Sequence, residues 1–249
     1  MQATPAAVRV TRPVLERWLL ERLPDGGRAW LDKALDDSRR VGPAGVAFAS
    51  AWSSAGRRLG RAPLALRDDS RRALVEDRAT FVPVGWATDE LGRALLLLAA
   101  IEEQPPALLP PIVEELFRKG ELREQQALLR VLAYLPEPRS YGSLAAEAVR
   151  GNVVSVLEAL ACDNPFPAAY MDALAFNQMV MKAVFNALPL ARIVGLPTRA
   201  DAELGRMARA LASERRAAGR PVPSDLQALQ DLPDSIEPPP PFAPSPRRS

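Results

Sequence analysis

The stretch of sequence that decides the fold is residues 162–220, CDNPFPAAYMDALAFNQMVMKAVFNALPLARIVGLPTRADAELGRMARALASERRAAGR. Its middle part places apolar side chains at i, i+3, i+4, i+7, i+8 and i+11, which is the spacing of one face of an α-helix. The residues of this face are Phe176, Met179, Val180, Ala183, Val184 and Ala187. Helical periodicity dominates the rest of the chain and β-type alternation is almost absent, so the sequence predicts an all-α protein.

The predicted helices are short and closely spaced in the middle of the chain. Helices are expected at about 121–135, 140–150 and 152–162, and the turns between them are minimal. Such spacing favours a multi-helix array of antiparallel helical hairpins. No residue-level repeat recurs at a fixed period, so a HEAT-like α-solenoid stays an open alternative.

The pattern of helices and prolines predicts one domain with two irregular ends. We expect a single all-α domain over residues 11–232, with a first helix that Thr11 caps and a short helix over about 68–79. Residues 1–10 are expected to be a flexible N-terminus. The proline-rich residues 233–249 cannot bury a core, and a disordered tail is predicted there.

The composition disfavours the common kinds of catalytic site. The chain contains no histidine, which removes the Ser-His-Asp and Cys-His arrangements and every histidine metal site. Cys162 is the only cysteine, so neither an intrachain disulfide nor a thiolate metal cage can form. A magnesium site made of carboxylates alone stays open. We therefore identify no catalytic residue and expect no metal and no cofactor.

Targeting signals are not apparent in the sequence. Residues 1–13 lack the apolar stretch of a secretory signal peptide. The longest apolar run, residues 94–101, is far shorter than the ~20 residues that a membrane-spanning helix needs. We expect a cytoplasmic protein with no transmembrane segment.

A rigid corner is predicted at residues 164–167, NPFP. Each proline removes an amide donor and disfavours the helical conformation of the residue before it. The corner therefore holds Phe166 and Tyr170 in fixed positions. We favour aromatics that pack inward over aromatics that form the lid of a ligand site.

A line of polar side chains runs along the central helix of the same stretch. Gln178, Lys182 and Asn186 follow one another at i, i+4 and i+8, and Asn177 lies beside them. Polar groups on a central helix must be solvated, paired or directed at a cavity. Solvation is the simpler interpretation. A ligand cavity lined by Asn177, Gln178 and Lys182 is the functional alternative.

Arginines concentrate after the central helix. Residues 192–220 contain seven arginines and three acids, and Arg215 falls on an apolar helical face where a hydrophobic residue would be expected. Such arginines bind phosphate or carboxylate groups by bidentate contacts, although a solvated basic face with internal pairing is the simpler interpretation. The candidate ligand-binding residues of the whole stretch are Phe166, Tyr170, Asn177, Gln178, Lys182, Arg192, Arg199 and Arg215.

A second basic segment carries Arg57, Arg58 and Arg61 in a loop with glycines. The glycines match neither a P-loop nor a dinucleotide-binding fingerprint. Aromatic residues do not alternate with the basic ones as they do on single-strand-binding platforms. We expect no nucleic-acid partner, although an α-solenoid that binds nucleic acid would use these arginines.

Several segments resemble the EboA family over roughly residues 14–231. CDNPFPAAY, FNQMVMKAVFNALPLARIVGL and ELGRMARALASERRAAGRPVP resemble its C-terminal signature, and GRRLGRAPLAL and GWATDELGRALLLLA resemble its middle region. The chain departs from the family at Phe176, near which a tryptophan is common. The resemblance implies an all-α bacterial protein that takes part in the traffic of secondary-metabolite precursors towards the periplasm.

The resemblance also implies partners encoded in the same gene cluster: a UbiA-like membrane prenyltransferase, a sugar-isomerase-like protein, a TatD-like hydrolase and a dehydroquinate-synthase-like protein. The family has no established catalytic residues, so none can be assigned here. We expect a non-catalytic accessory protein that binds a metabolite precursor or scaffolds its partners. The alternative is an enzyme or cofactor-dependent accessory that uses Lys182 on an anionic or prenylated metabolite.

Overall fold

The structure is a computed structural model that describes residues 12–64 and 85–232. Four sequence predictions lie outside the described residues: the flexible N-terminus 1–10, the cap at Thr11, the short helix over 68–79 and the disordered tail 233–249.

The described part of the chain is built from α-helices and contains no β-strand, so the predicted all-α class is confirmed. The thirteen α-helices of this part are α1 Arg12–Leu20, α2 Asp25–Val41, α3 Val46–Leu59, α4 Thr88–Ala100, α5 Leu109–Lys119, α6 Leu122–Val131, α7 Gly142–Arg150, α8 Val154–Ala161, α9 Phe166–Tyr170, α10 Ala173–Phe185, α11 Leu196–Arg199, α12 Ala202–Ala217 and α13 Ser224–Gln230. Short 3-10 helices are Pro106–Leu108, Leu132–Tyr134, Pro138–Tyr141 and Leu190–Arg192. Among the described residues, no helix combines the length and the apolar character that crossing a membrane requires.

Helix α4 is the inner helix of the N-terminal half. It contacts α1, α2, α3 and α6, and four of its five leucines are fully buried. Burying one leucine stabilises a fold by roughly 1.5–3 kcal/mol, so this helix anchors its neighbours. The first turn is held by Glu90, whose Oε2 accepts a hydrogen bond from the Ala87 amide at 2.8 Å.

A two-residue antiparallel bridge fixes the chain just before α4. The bridge joins Pro63 to Ala87. The Leu64 amide donates to the Trp86 carbonyl at 2.6 Å, and the Thr88 amide donates to the Ala62 carbonyl at 3.0 Å. The end of α3 and the start of α4 are therefore held together although they are distant in sequence.

The C-terminal half continues the packing in chain order. Helix α6 packs on α4 and α8, α8 packs on α7 and α10, α10 packs on α12, and α12 packs on α13. This order agrees with an array of helical hairpins. The contacts do not establish a regular superhelix, so the α-solenoid stays a prediction.

Asn164 fixes the predicted corner. Its Nδ2 donates to the carbonyls of Leu129 and Ala159, each at 3.0 Å, and its Oδ1 accepts from the Phe166 amide at 2.9 Å. Phe166 is fully buried, and its ring centroid lies 5.6 Å from that of the half-buried Tyr170. The inward packing that the sequence predicted is confirmed for Phe166.

Candidate functional site

The three side chains of the predicted polar cavity have different surroundings in the structure. Asn177 is buried, and its Nδ2 donates to Asp201 Oδ1 at 2.8 Å, which ties α10 to the start of α12. Gln178 is exposed. The Nζ of Lys182 donates to the carbonyls of Val149 and Gly151, each at 2.6 Å, at the C-terminal end of α7. The three side chains therefore make different contacts, and a ligand cavity lined by them stays a prediction.

Arg192 is paired with two carboxylates at the corner after α8. Its Nε donates to Asp163 Oδ2 at 2.8 Å, and its Nη1 donates to Glu158 Oε1 at 2.6 Å. Burial acts to lower the pKa of Arg192, but the hydrogen bonds that Arg192 donates to Asp163 and Glu158 outweigh it and raise the pKa above its ordinary value. Asp163 has a φ of 51°, and its amide donates to the Arg192 carbonyl at 2.8 Å.

Arg199 and Arg215 bind backbone carbonyl groups. Arg199 donates from Nη1 to the Ala168 carbonyl at 2.5 Å and from Nη2 to the Met171 carbonyl at 3.0 Å, at the end of α9. Its guanidinium carbon lies 4.8 Å from the Phe176 ring centroid, and burial lowers the pKa of Arg199. Arg215 donates from Nε to the Pro221 carbonyl at 2.8 Å. The structure thus spreads the predicted cations over several helix ends, and ligand binding by them stays a prediction.

A charged cluster that the sequence did not reveal lies between α4 and α6. We call it the buried ion cluster, and its members are Asp89, Glu90, Arg93, Arg123 and Arg130. Asp89 is fully buried and accepts from Arg93 Nη1 at 2.8 Å and from Arg123 Nε at 3.2 Å, both at Oδ2, while Arg123 Nη2 donates to Oδ1. Arg93 also donates from Nε to the Trp52 carbonyl at 3.0 Å. Asp89 is therefore held by two arginines.

Arg130 is the member of the cluster with unsatisfied donors. Only 6% of this residue is exposed. Its Nε lies 3.5 Å from Glu90 Oε1, beyond the ~2.7–2.9 Å of a charge-assisted hydrogen bond, and Arg123 Nη1 lies 3.6 Å from the same oxygen. Nε and Nη1 of Arg130 find no hydrogen-bond partner among the described residues.

Other polar groups surround the C-terminal half of α6. Trp86 is 1% exposed, its ring packs edge-on to Tyr134 at 6.0 Å, and its Nε1 finds no partner in the described part of the chain. Tyr134 follows Arg130 by four residues. Burial raises the pKa of the Cys162 thiol, although the charges of Arg192 and Arg130 act to lower it.

The buried ion cluster is suited to binding rather than to proton transfer. Arginine stays protonated at all ordinary pH values, and each carboxylate of the cluster is held by arginines or a backbone amide. Over residues 12–64 and 85–232, no group of three His, Cys, Asp or Glu side chains is arranged to hold a metal ion. The cluster can therefore supply fixed positive charge to an anion.

The sequence contains a signal for this cluster that our predictions did not use. Asp89 and Arg93 are four residues apart on α4, a helix that is otherwise apolar, and such a pair faces one side of the helix. Arg123 and Arg130 are seven residues apart on α6 and share a face. Charged side chains that share one face on each of two helices would have predicted a pairing between the helices.

An open depression of about 440 Å³ lies beside α1, away from the buried ion cluster. It is lined by Pro13, Glu16, Arg17, Leu20, Glu21 and Arg28. None of the ligand-binding residues predicted from the sequence takes part in it.

Searches of curated proteins and of solved structures found no match to this chain. The model of one family, described as metabolite traffic protein EboA, matches residues 11–231. This match covers nearly all of the sequence, including the helices that carry the buried ion cluster, and the chain therefore belongs to the EboA family.

Proposed function

We propose that this protein is a non-catalytic accessory protein of metabolite traffic that binds a metabolite precursor without converting it. The family to which the chain belongs supports a role with metabolites. The observation that carries the proposal is the buried ion cluster, in which fixed arginine charges surround carboxylates that are already paired. The arginines of the buried ion cluster attract an anionic ligand, whereas its paired carboxylates offer no free base.

The state of the individual groups favours binding over catalysis. Asp89 accepts hydrogen bonds from Arg93 and Arg123. It could therefore act as a base only if both ion pairs were disrupted. The Cys162 thiol has a raised pKa because it is buried, and a neutral thiol is a poor nucleophile. An enzyme that acts on an anionic or prenylated metabolite remains the alternative.

Metabolite retention tests the proposal. Purified full-length protein is incubated with a protein-free metabolite extract of the producing organism, filtered by size, and both fractions are analysed by mass spectrometry over time. We expect a compound that is retained by the native protein, released on denaturation and unchanged in mass. A product that accumulates with native but not with heat-denatured protein would favour the enzyme, and retention of nothing would refute metabolite binding.

A second candidate function is scaffolding, and the outer face of α10 favours it. Leu174 and Phe185 are 59% and 69% exposed, and Gln178 and Met181 lie between them with spacings of four, three and four residues. This spacing is that of a coiled-coil seam, so the occupant that fits is an amphipathic helix of a partner protein. Exposed apolar patches of this kind mark protein contacts.

Co-purification with defined partners tests the scaffold. Each of the four proteins expected from the same gene cluster is produced with the tagged protein, and the captured amount is compared between the unchanged chain and Phe185→Ser. Val46→Ser is the matched control, since Val46 is 87% exposed on α3. Equal capture by all three forms would argue against the α10 face.

A further inference from the structure

Two buried residues, Arg130 in the C-terminal half of α6 and Trp86 against the 3-10 helix that follows it, carry hydrogen-bond donors without acceptors among the described residues. Arg130 contributes Nε and Nη1, and Trp86 contributes Nε1, and none of the three finds a partner among the described residues. Trp86 is linked to this part of α6 by its edge-on contact with Tyr134, one turn after Arg130. Guanidinium and indole groups donate hydrogen bonds and do not accept them. The missing component is therefore an acceptor.

Glu90 does not supply the missing acceptor. Its Oε2 is occupied by the Ala87 amide, and its Oε1 is shared between Arg123 and Arg130 at distances of 3.6 and 3.5 Å. A buried donor that is left unsatisfied costs about 1–3 kcal/mol, and more if it is charged. Arg130 is therefore a high-energy cation that an additional negative group would stabilise.

We infer that Arg130 and Trp86 form the receptor for a small oxyanion, a phosphate or carboxylate group. A planar guanidinium group binds both kinds of anion through parallel N–H donors, and the indole N–H supplies one further donor. The inference rests on the proposed function, because it takes the oxyanion to be the charged head group by which a metabolite precursor is held.

Thermal unfolding of the full-length protein with inorganic phosphate tests the receptor. Phosphate is titrated against chloride at matched ionic strength, and acetate is used as the carboxylate probe. For the unchanged chain we expect the Tm to rise by about 3–6 °C when the better anion is at ten times its Kd. The Arg130→Met variant should lose this rise. Trp86→Phe should weaken the anion about tenfold, because it removes one donor to a charged group.

Arg206→Gln is the matched control, since Arg206 is an exposed arginine that pairs with Glu203 on α12. It should keep the full response. If the Tm of the unchanged chain does not rise with either anion, the inference is overturned. This outcome does not depend on whether the Arg130→Met variant folds. A rise that Arg130→Met and Trp86→Phe both retain would locate the anion elsewhere and would also overturn it.

The metabolite-retention experiment, repeated with phosphate and with Arg130→Met, distinguishes a failure of the inference from a failure of the proposed function. Phosphate competition that releases a retained metabolite from the unchanged chain supports both. A phosphate response that depends on Arg130 without any retained metabolite leaves the receptor standing and refutes metabolite binding. A metabolite that Arg130→Met retains as strongly as the unchanged chain supports metabolite binding and refutes the receptor.

Discussion

The replacement Asn164→Ala tests how the corner after α8 is held. The side chain is 1% exposed and makes three hydrogen bonds, to the Leu129 and Ala159 carbonyls and from the Phe166 amide. A hydrogen bond contributes about 0.5–1.5 kcal/mol net, and a buried group left without its partner costs about 1–3 kcal/mol. For three bonds we expect a loss of about 2–4 kcal/mol in the free energy of unfolding. This is a large part of the 5–15 kcal/mol that domains typically have.

Urea and thermal unfolding, followed by far-UV circular dichroism, measure this loss. For a domain of this size, 3 kcal/mol corresponds to a decrease in Tm of about 6–12 °C. Asn152→Ala is the control, since Asn152 is exposed, and it should change little. Asn164→Asp should be at least as destabilising as Asn164→Ala, because it directs a carboxylate at two carbonyl oxygens. A decrease of less than about 1 kcal/mol in the free energy of unfolding for Asn164→Ala would refute the role of Asn164 in holding the corner.

The remaining predictions concern charge, helix ends and pH. Asp89→Asn should reduce the free energy of unfolding by about 3–5 kcal/mol in urea, because two arginines lose their charged partner. Asp36→Asn is the control on the surface and should have almost no effect. Lys182→Met should reduce the free energy of unfolding by about 1 kcal/mol, because two carbonyls at the end of α7 lose their donor. Lys33→Met is the control and should reduce it less, since it removes only an exposed ion pair. Burial raises the pKa of Tyr141 to about 12, whereas the unfolded residue titrates near 10, so the unfolded state loses its proton first and stability should fall from about pH 10 to 12. Tyr141→Phe should flatten that decrease in the urea midpoint, and an unchanged slope would contradict the assignment.

The helical class could be predicted because apolar spacing depends on neighbours along the chain. The apolar face of α10 was visible in the sequence, and the structure buries Phe176, Met179 and Val180. Helix ends were less accurate. The helix expected over 121–135 is α6 Leu122–Val131 followed by a 3-10 helix, Leu132–Tyr134, because the backbone tightens before the turn at Leu135.

The candidate site could be predicted only in part, since its pairings join distant segments. The Asp89–Arg123 contact spans 34 residues, and the Asn177–Asp201 contact spans 24. Helical spacing indicates which side chains share a face but not which helix they meet. Lys182 illustrates this limit: the sequence placed it on a polar line, whereas the structure adds that it binds the end of α7.

The antiparallel bridge between Pro63 and Ala87 has a consequence for the order in which the N-terminal half folds. The hydrogen bonds from Leu64 to Trp86 and from Thr88 to Ala62 hold the two ends of the intervening stretch in place. Contacts between residues far apart in sequence form late in folding, because the entropy of closing the chain between them is lost before they stabilise anything. The bridge should therefore form after α3 and α4 have formed.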